Sequence, residues 1–183
     1  FLTPFYLQRV MNYSPEKIGF LMTSFPLAVM LVAPLSGALS DKFGSRRLAV
    51  LGSGLCAVAL ITMAYLPLMA TAFVVSWRLA LFGLGNGIFQ SPNNNAVMGS
   101  VPRPYLGVAS SVLGTVRNVG MEVGIAFAGL LLYLSVPPEI IAREYLTGSD
   151  AFAFLKGLHA AYLFGAFCSL FAAYFSFKQA KGV

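Results

Sequence analysis

The chain has 183 residues, of which 58% are hydrophobic and 10% charged. A soluble domain carries about 25% charged residues, so that class is excluded, and the mean hydropathy of +0.79 agrees. The net charge of +6 is not gathered into the basic stripe that nucleic acid requires.

In chain order, Phe1-Leu2-Thr3-Pro4-Phe5-Tyr6 reads as the tail of a helix already under way. With Phe rather than Met at its start, the chain is expected to be the C-terminal part of a larger protein. Gln8 to Tyr13 forms a polar connection, and Ser14-Pro15 starts a helix, Ser as N-cap and Pro in the first turn. That helix is predicted over about 15–40, kinked at Pro26 and Pro34. A second runs over about 48–66 and ends at Pro67. A third covers about 70–99 and is expected to be interrupted at Pro92, with Asn93, Asn94 and Asn95 able to satisfy the carbonyls that Pro92 frees. Val101-Pro102-Arg103-Pro104 is a turn, and the fourth helix follows over about 105–134. Ser135 to Asp150 is the one long polar loop, before a fifth helix over about 154–177 and a basic tail. Five runs of spanning length predict an all-α, polytopic transmembrane bundle, with a partial sixth helix at the start and residues 1–183 forming one domain in a lipid bilayer.

The loop between the first two long helices carries Asp41, Lys42, Arg46 and Arg47 within seven residues. Such a cluster cannot lie in hydrocarbon, so the loop is a tight hairpin in water, with Gly44 supplying the backbone freedom. Placing it in the cytoplasm puts Lys42, Arg46, Arg47, Arg103, Lys178 and Lys181 on that side against Asp41 alone. On the other side Arg9, Lys17, Arg143 and Lys156 are matched by Glu16, Glu139, Glu144 and Asp150. This is the positive-inside asymmetry, and it accounts for the basic excess without nucleic acid.

Chemistry concentrates on the third and fourth helices. At about 100° per residue, Gly83, Asn86, Gly87, Gln90, Asn93 and Asn94 share one face, while Arg78, Gly85 and Phe89 share another. A polar stripe on a spanning helix faces protein or a watery cavity, not lipid. The glycines can equally serve close helix packing, and the amides can bond to neighbouring helices. On the fourth helix, Ser110, Gly114, Met121, Gly124 and Ala128 lie on the face of Arg117 as a small-residue seam. Asn118 and Glu122 lie on a different face, so Arg117 and Glu122 are not natural partners. Ionisable groups at such depth are costly and imply function, with a structural interhelical pair as the alternative. The expected substrate or proton pathway is therefore Arg78, Asn86, Gln90, Asn93, Asn94, Arg117, Asn118 and Glu122. Gly83, Gly87, Gly114, Gly120 and Gly124 are the expected packing positions.

The loop matches the pattern Gly-x-x-x-Asp-(Lys/Arg)-x-Gly-x-(Lys/Arg)-(Lys/Arg) at Gly37, Asp41, Lys42, Gly44, Arg46 and Arg47. This resembles the inter-helix motif of the major facilitator superfamily of secondary transporters, with Ser45 standing where a basic residue is common. Trp77-Arg78 followed by Gly83-Leu84-Gly85-Asn86-Gly87 is similar to the family's Arg-then-glycine helix. Tyr6-Leu7-Gln8 with Tyr13-Ser14, Ser91 to Asn95 through Val101-Pro102, Gly107 to Ser110, and Arg117 to Gly120 resemble the fourteen-helix drug:proton antiporter branch. The resemblance implies the C-terminal bundle of an alternating-access exporter of small organic molecules in the inner membrane of a bacterium. It also implies an N-terminal bundle of the same protein as partner and protons as the coupling ion. Asp41 would be the acidic member of a cytoplasmic latch, and Arg46 and Arg47 its basic members. Glu122 has no counterpart in the family's motifs.

Other classes lack their residues. Gly83-x-Gly85-x-Gly87 has no strand-turn-helix context for a dinucleotide, and no His/Cys cluster has metal-ligand spacing. Neither a cofactor nor a metal is expected. Cys56 and Cys168 read as small buried hydrophobes, His159 as an interfacial or packing residue, and Trp77 as an interface anchor. An intramembrane enzyme would need a paired nucleophile and base at depth, which the sequence lacks. A carrier for sugar or metabolite uptake, or a membrane scaffold, are the remaining alternatives.

Overall fold

The computed structural model describes residues 1–141, 143 and 145–178, and of Asp41 the backbone alone. The described residues form helices and no strands. After a short α1 (Leu2–Arg9) come α2 (Pro15–Met22) and α3 (Ser24–Phe43), then α4 (Ser45–Ala64) and α5 (Ala72–Gly99). A 3₁₀ turn at Arg103–Tyr105 leads into α6 (Leu106–Ser135), and α7 (Pro138–Ile141) precedes α8 (Ser149–Lys178). Among the described residues five segments are long and apolar enough to cross a membrane: Pro15–Ser40, Ser45–Ala64, Ala72–Gly99, Arg103–Ser135 and Ser149–Lys178.

Proline acts differently at its three mid-helix positions. Pro26 has no N–H to offer the carbonyl of Met22, and the first span breaks there into α2 and α3. At the break, the Thr23 hydroxyl donates to the Phe20 carbonyl at 2.6 Å. At Pro34, α3 runs on unbroken. The interruption expected at Pro92 does not occur, since α5 is continuous from Ala72 to Gly99. Pro92 leaves the Ile88 carbonyl without its intrahelical donor, and Ser36 of α3 supplies one, its Oγ donating to that oxygen at 2.9 Å. The partner is thus a serine 52 positions away and not the neighbouring asparagines. Polar side chains on adjacent helices commonly satisfy carbonyls freed by proline within membranes.

Four long helices form a ring in which α5 packs on α4, α4 on α8 and α8 on α6, and α3 packs on α5. The α5–α6 edge is only lightly joined. Close approach is made by glycines that point both ways from α5. A Cβ on Gly83 would lie 2.5 Å from the Phe25 carbonyl oxygen, and one on Gly87 would meet Val29, both on α3. Gly85 instead faces Gly52 and Cys56 of α4, where a Cβ would come within 2.7 Å of the Cys56 nitrogen.

The tightest packing lies under the loop that joins α4 to α5. Tyr6, Leu7, Val75, Phe154 and Leu158 are buried there together. Tyr6 donates its hydroxyl to the Pro67 carbonyl at 2.7 Å, and the hydroxyls of Thr3 and Tyr162 bond at 2.7 Å. Val136 and Leu146 are buried, Leu146 within this core, and the Leu146 nitrogen donates to the Arg9 carbonyl at 2.9 Å. Arg9 Nη1 returns a bond to the Ile141 carbonyl at 2.6 Å, and Arg143 pairs with Asp150. By contrast α6 buries no residue. Gly114, Gly120 and Gly124 meet nothing within 4 Å among the described residues, so of the seam expected on α6 it is Ala128 that packs against the core.

Candidate functional site

Where α5 and α6 part, a crevice of about 280 Å³ opens, lined by Asn86, Gln90, Asn93 and Asn94 of α5 and by Arg117 of α6. Phe89, Leu113 and Val116 complete its walls. The four amides stand at positions i, i+4, i+7 and i+8, so one face of α5 presents them in a row about 12 Å long. All four are half-buried, and none has a side-chain hydrogen bond among the described residues. Their donors and acceptors are therefore open to whatever enters the crevice, while Arg117 adds a fixed positive charge at its rim. Neutral amides beside one guanidinium suit a polar organic molecule better than a metal ion, which would need oxygen or nitrogen ligands converging on a point.

Three expected pathway residues lie elsewhere. Arg78 points to the far side of α5, as its place on the helical wheel requires. Its Nη1 donates at 2.6 Å to the carbonyl of Thr62, in the last turn of α4, where carbonyls have no intrahelical donor. The guanidinium also lies 5.5 Å from the Trp77 ring, and its Nε is buried without a partner among the described residues. Arg78 is thereby a cap on α4, apart from the crevice. Asn118 and Glu122 are exposed on α6 and do not line it. Glu122 sits five residues beyond Arg117, about 7.5 Å further along the helix.

The charged loop is tighter than a hairpin of several residues. Gly44 alone joins α3 to α4, ending one and starting the other. Its φ of 84° and ψ of 134° belong to a region that glycine alone adopts without strain. A Cβ at Gly37 would meet the Ser91 hydroxyl at 3.1 Å, which sets α3 close against α5. Lys42 and Arg47 are exposed, and the Asp41 side chain lies outside the described residues. Arg46 lies over the Phe177 ring of α8 at 4.7 Å. It also borders a small recess of about 160 Å³ shared with Asn93 and Ser176. Asn93 thus touches both the crevice and the foot of the loop.

Sequence reasoning missed Ser36 and Phe177. A signal for Ser36 exists in principle, because any mid-helix proline leaves a carbonyl four residues back that needs a donor. Nothing local marks Phe177 as the cover of Arg46, since the two are brought together by the α4–α8 packing.

Residues 1–125 match the family model of the Major Facilitator Superfamily. The riboflavin transporter RibZ of Clostridioides difficile is 39% identical over 127 residues, covering 69% of this chain and 28% of its own length. The uncharacterized transporter YebQ of Escherichia coli K12 is 40% identical over 70% of this chain and 28% of its own. The putative multidrug resistance protein MdtD of Pectobacterium atrosepticum is 28% identical over 80% of this chain and 32% of its own. The chain therefore spans about a third or less of the length of these curated relatives. With a matching model over most of its length, five spanning segments and the glycine-hinged charged loop in place, this chain belongs to the Major Facilitator Superfamily of membrane transporters.

Proposed function

We propose that the chain forms the C-terminal, cavity-bearing bundle of a secondary transporter that works by alternating access and exports small organic molecules in exchange for protons. The observation that carries this reading is the crevice on the open α5–α6 edge, whose four amides have no side-chain partner among the described residues. An N-terminal bundle of the same protein would close that edge and complete the cavity. Glu122, the acidic residue in the middle of a span, would carry the proton. The loop Gly37 to Arg47 would lie in the cytoplasm and act as a latch, with Asp41 opposing Arg46 and Arg47 on neighbouring helices.

The test uses the full-length protein in proteoliposomes. Asn86→Leu with Gln90→Met removes two open amides and keeps side chains of similar shape. Substrate turnover at limiting concentration should fall about tenfold, the loss of two hydrogen bonds, with insertion and monodispersity unchanged. Normal transport in that variant refutes the site. A second reading, a carrier for uptake of a metabolite, takes its substrate class from the relative named as a riboflavin transporter. Flux measured in right-side-out and inverted vesicles with riboflavin as competitor separates the two.

A further inference from the structure

On the edge of the ring opposite the crevice, the end of α4 and the start of α8 enclose a groove of about 690 Å³. Its walls are apolar, from Leu66 and Leu68 of the α4–α5 turn and Phe152 and Leu155 of α8. Two basic groups, Lys156 and His159, stand in it. They are three residues apart on α8, so they project to neighbouring points of one face. Lys156 is exposed and has no salt bridge among the described residues. The nearby carboxylate of Asp150 is already held by Arg143. The ring of His159 is set edge-on against Tyr65, centroids 4.9 Å apart and planes at 89°, which fixes its direction.

The surroundings identify the medium the groove faces. The turn reads Tyr65-Leu66-Pro67-Leu68-Met69, and Met69 is 85% exposed and Phe152 71%. A water-facing loop seldom carries such residues together, whereas the boundary of acyl chains and headgroups collects aromatic rings and snorkelling lysines. Lys156 is seven residues into α8, about 10 Å from its start. We propose that this groove is a binding site for an anionic phospholipid of the surrounding bilayer. Lys156 and His159 hold the phosphate, and an acyl chain lies along Leu66, Leu68 and Leu155. Charge complementarity selects the occupant, since an apolar cleft with an exposed ammonium and a hydrogen-bonding imidazole beside it matches an anionic amphiphile. The site stands whether or not the crevice carries substrate, because the two lie on opposite edges.

The experiment takes the full-length protein in a neutral detergent. It compares phosphatidylglycerol with phosphatidylcholine of the same acyl chains, reading retained lipid by native mass spectrometry and melting temperature. Phosphatidylglycerol is expected to be retained preferentially and to raise the melting temperature. Lys156→Gln should lower its affinity about fivefold, the effect of one cation at a membrane surface, and leave phosphatidylcholine unchanged. Lys156→Arg should keep the preference, and Lys178→Gln, at the other end of α8, should not alter it. Equal retention of the two lipids by the unmodified protein overturns the proposal, as would occur if an upstream segment fills the groove. An unaltered preference in Lys156→Gln also overturns it. Glycerol 3-phosphate producing the same stabilisation would show a phosphate site without a lipid, and that too refutes it.

Discussion

The bond from Ser36 to the Ile88 carbonyl gives a sharp energetic prediction, because Pro92 creates the need that Ser36 meets. Ser36 is 3% exposed, and Pro92 is fully buried. Ser36→Ala leaves the Ile88 oxygen between α3 and α5 without an intrahelical or interhelical donor. An orphaned buried carbonyl costs about 1–3 kcal/mol, whereas measured interhelical bonds in membranes average about 0.6 and reach about 1.7 kcal/mol. The part-buried 2.9 Å bond, set beside the fully buried Pro92, points to about 1 kcal/mol within the membrane range. In a Pro92→Ala background residue 92 regains its N–H, the helix supplies its own donor, and the same serine change should cost under about 0.5 kcal/mol. The double-mutant cycle therefore has an expected coupling of about 0.5–1 kcal/mol, read from denaturant unfolding of the full-length protein in mixed micelles. Equal costs of Ser36→Ala in both backgrounds would refute the account of how α5 passes Pro92 unbroken.

A second prediction concerns the α4–α5 contact, where a Cβ at Gly52 would lie 2.4 Å from the Phe89 nitrogen and 2.8 Å from the Gly85 carbonyl oxygen. Gly52→Ala must push backbone against backbone and should cost about 2–3 kcal/mol, while Gly54→Ala, which meets nothing within 4 Å, should be neutral or stabilising; similar melting points for the two variants would contradict this. For orientation, single cysteines at Ser45 and Ser149 in a full-length background lacking Cys56 and Cys168 should label from opposite faces, Ser45→Cys from the cytoplasm. Labelling of Ser45→Cys by an impermeant reagent added outside reverses the topology. Asp41→Asn should slow turnover severely with little change in substrate affinity, because it shifts a conformational equilibrium; normal turnover would reduce the loop to a topology signal. Glu122→Gln should abolish gradient-driven transport yet leave substrate exchange without net proton movement, with Glu122→Asp as the companion should Gln impair folding. Undiminished gradient-driven transport would assign the coupling carboxylate to another part of the protein.

The sequence by itself determined the number and type of the spanning elements and the glycine-hinged position of the charged loop. These follow from local causes: hydropathy over about twenty residues, and a charge cluster that hydrocarbon cannot hold. It also determined that Asn86, Gln90, Asn93 and Asn94 share a face while Arg78 does not, since helical periodicity is a property of spacing alone. Only the tertiary structure decided what each face meets. The amide stripe opens beside Arg117 because α6 packs on α8 and leaves its α5 edge loose. Arg78 turns to the Thr62 carbonyl because α4 ends beside it. Proline follows the same division. Its missing N–H is written in the sequence at Pro26 and at Pro92 alike. Thr23 stands at a break after Met22, whereas α5 stays whole because α3 brings Ser36 to the Ile88 oxygen. At Pro92 the missing donor comes from a helix elsewhere in the chain, and only packing can place it there.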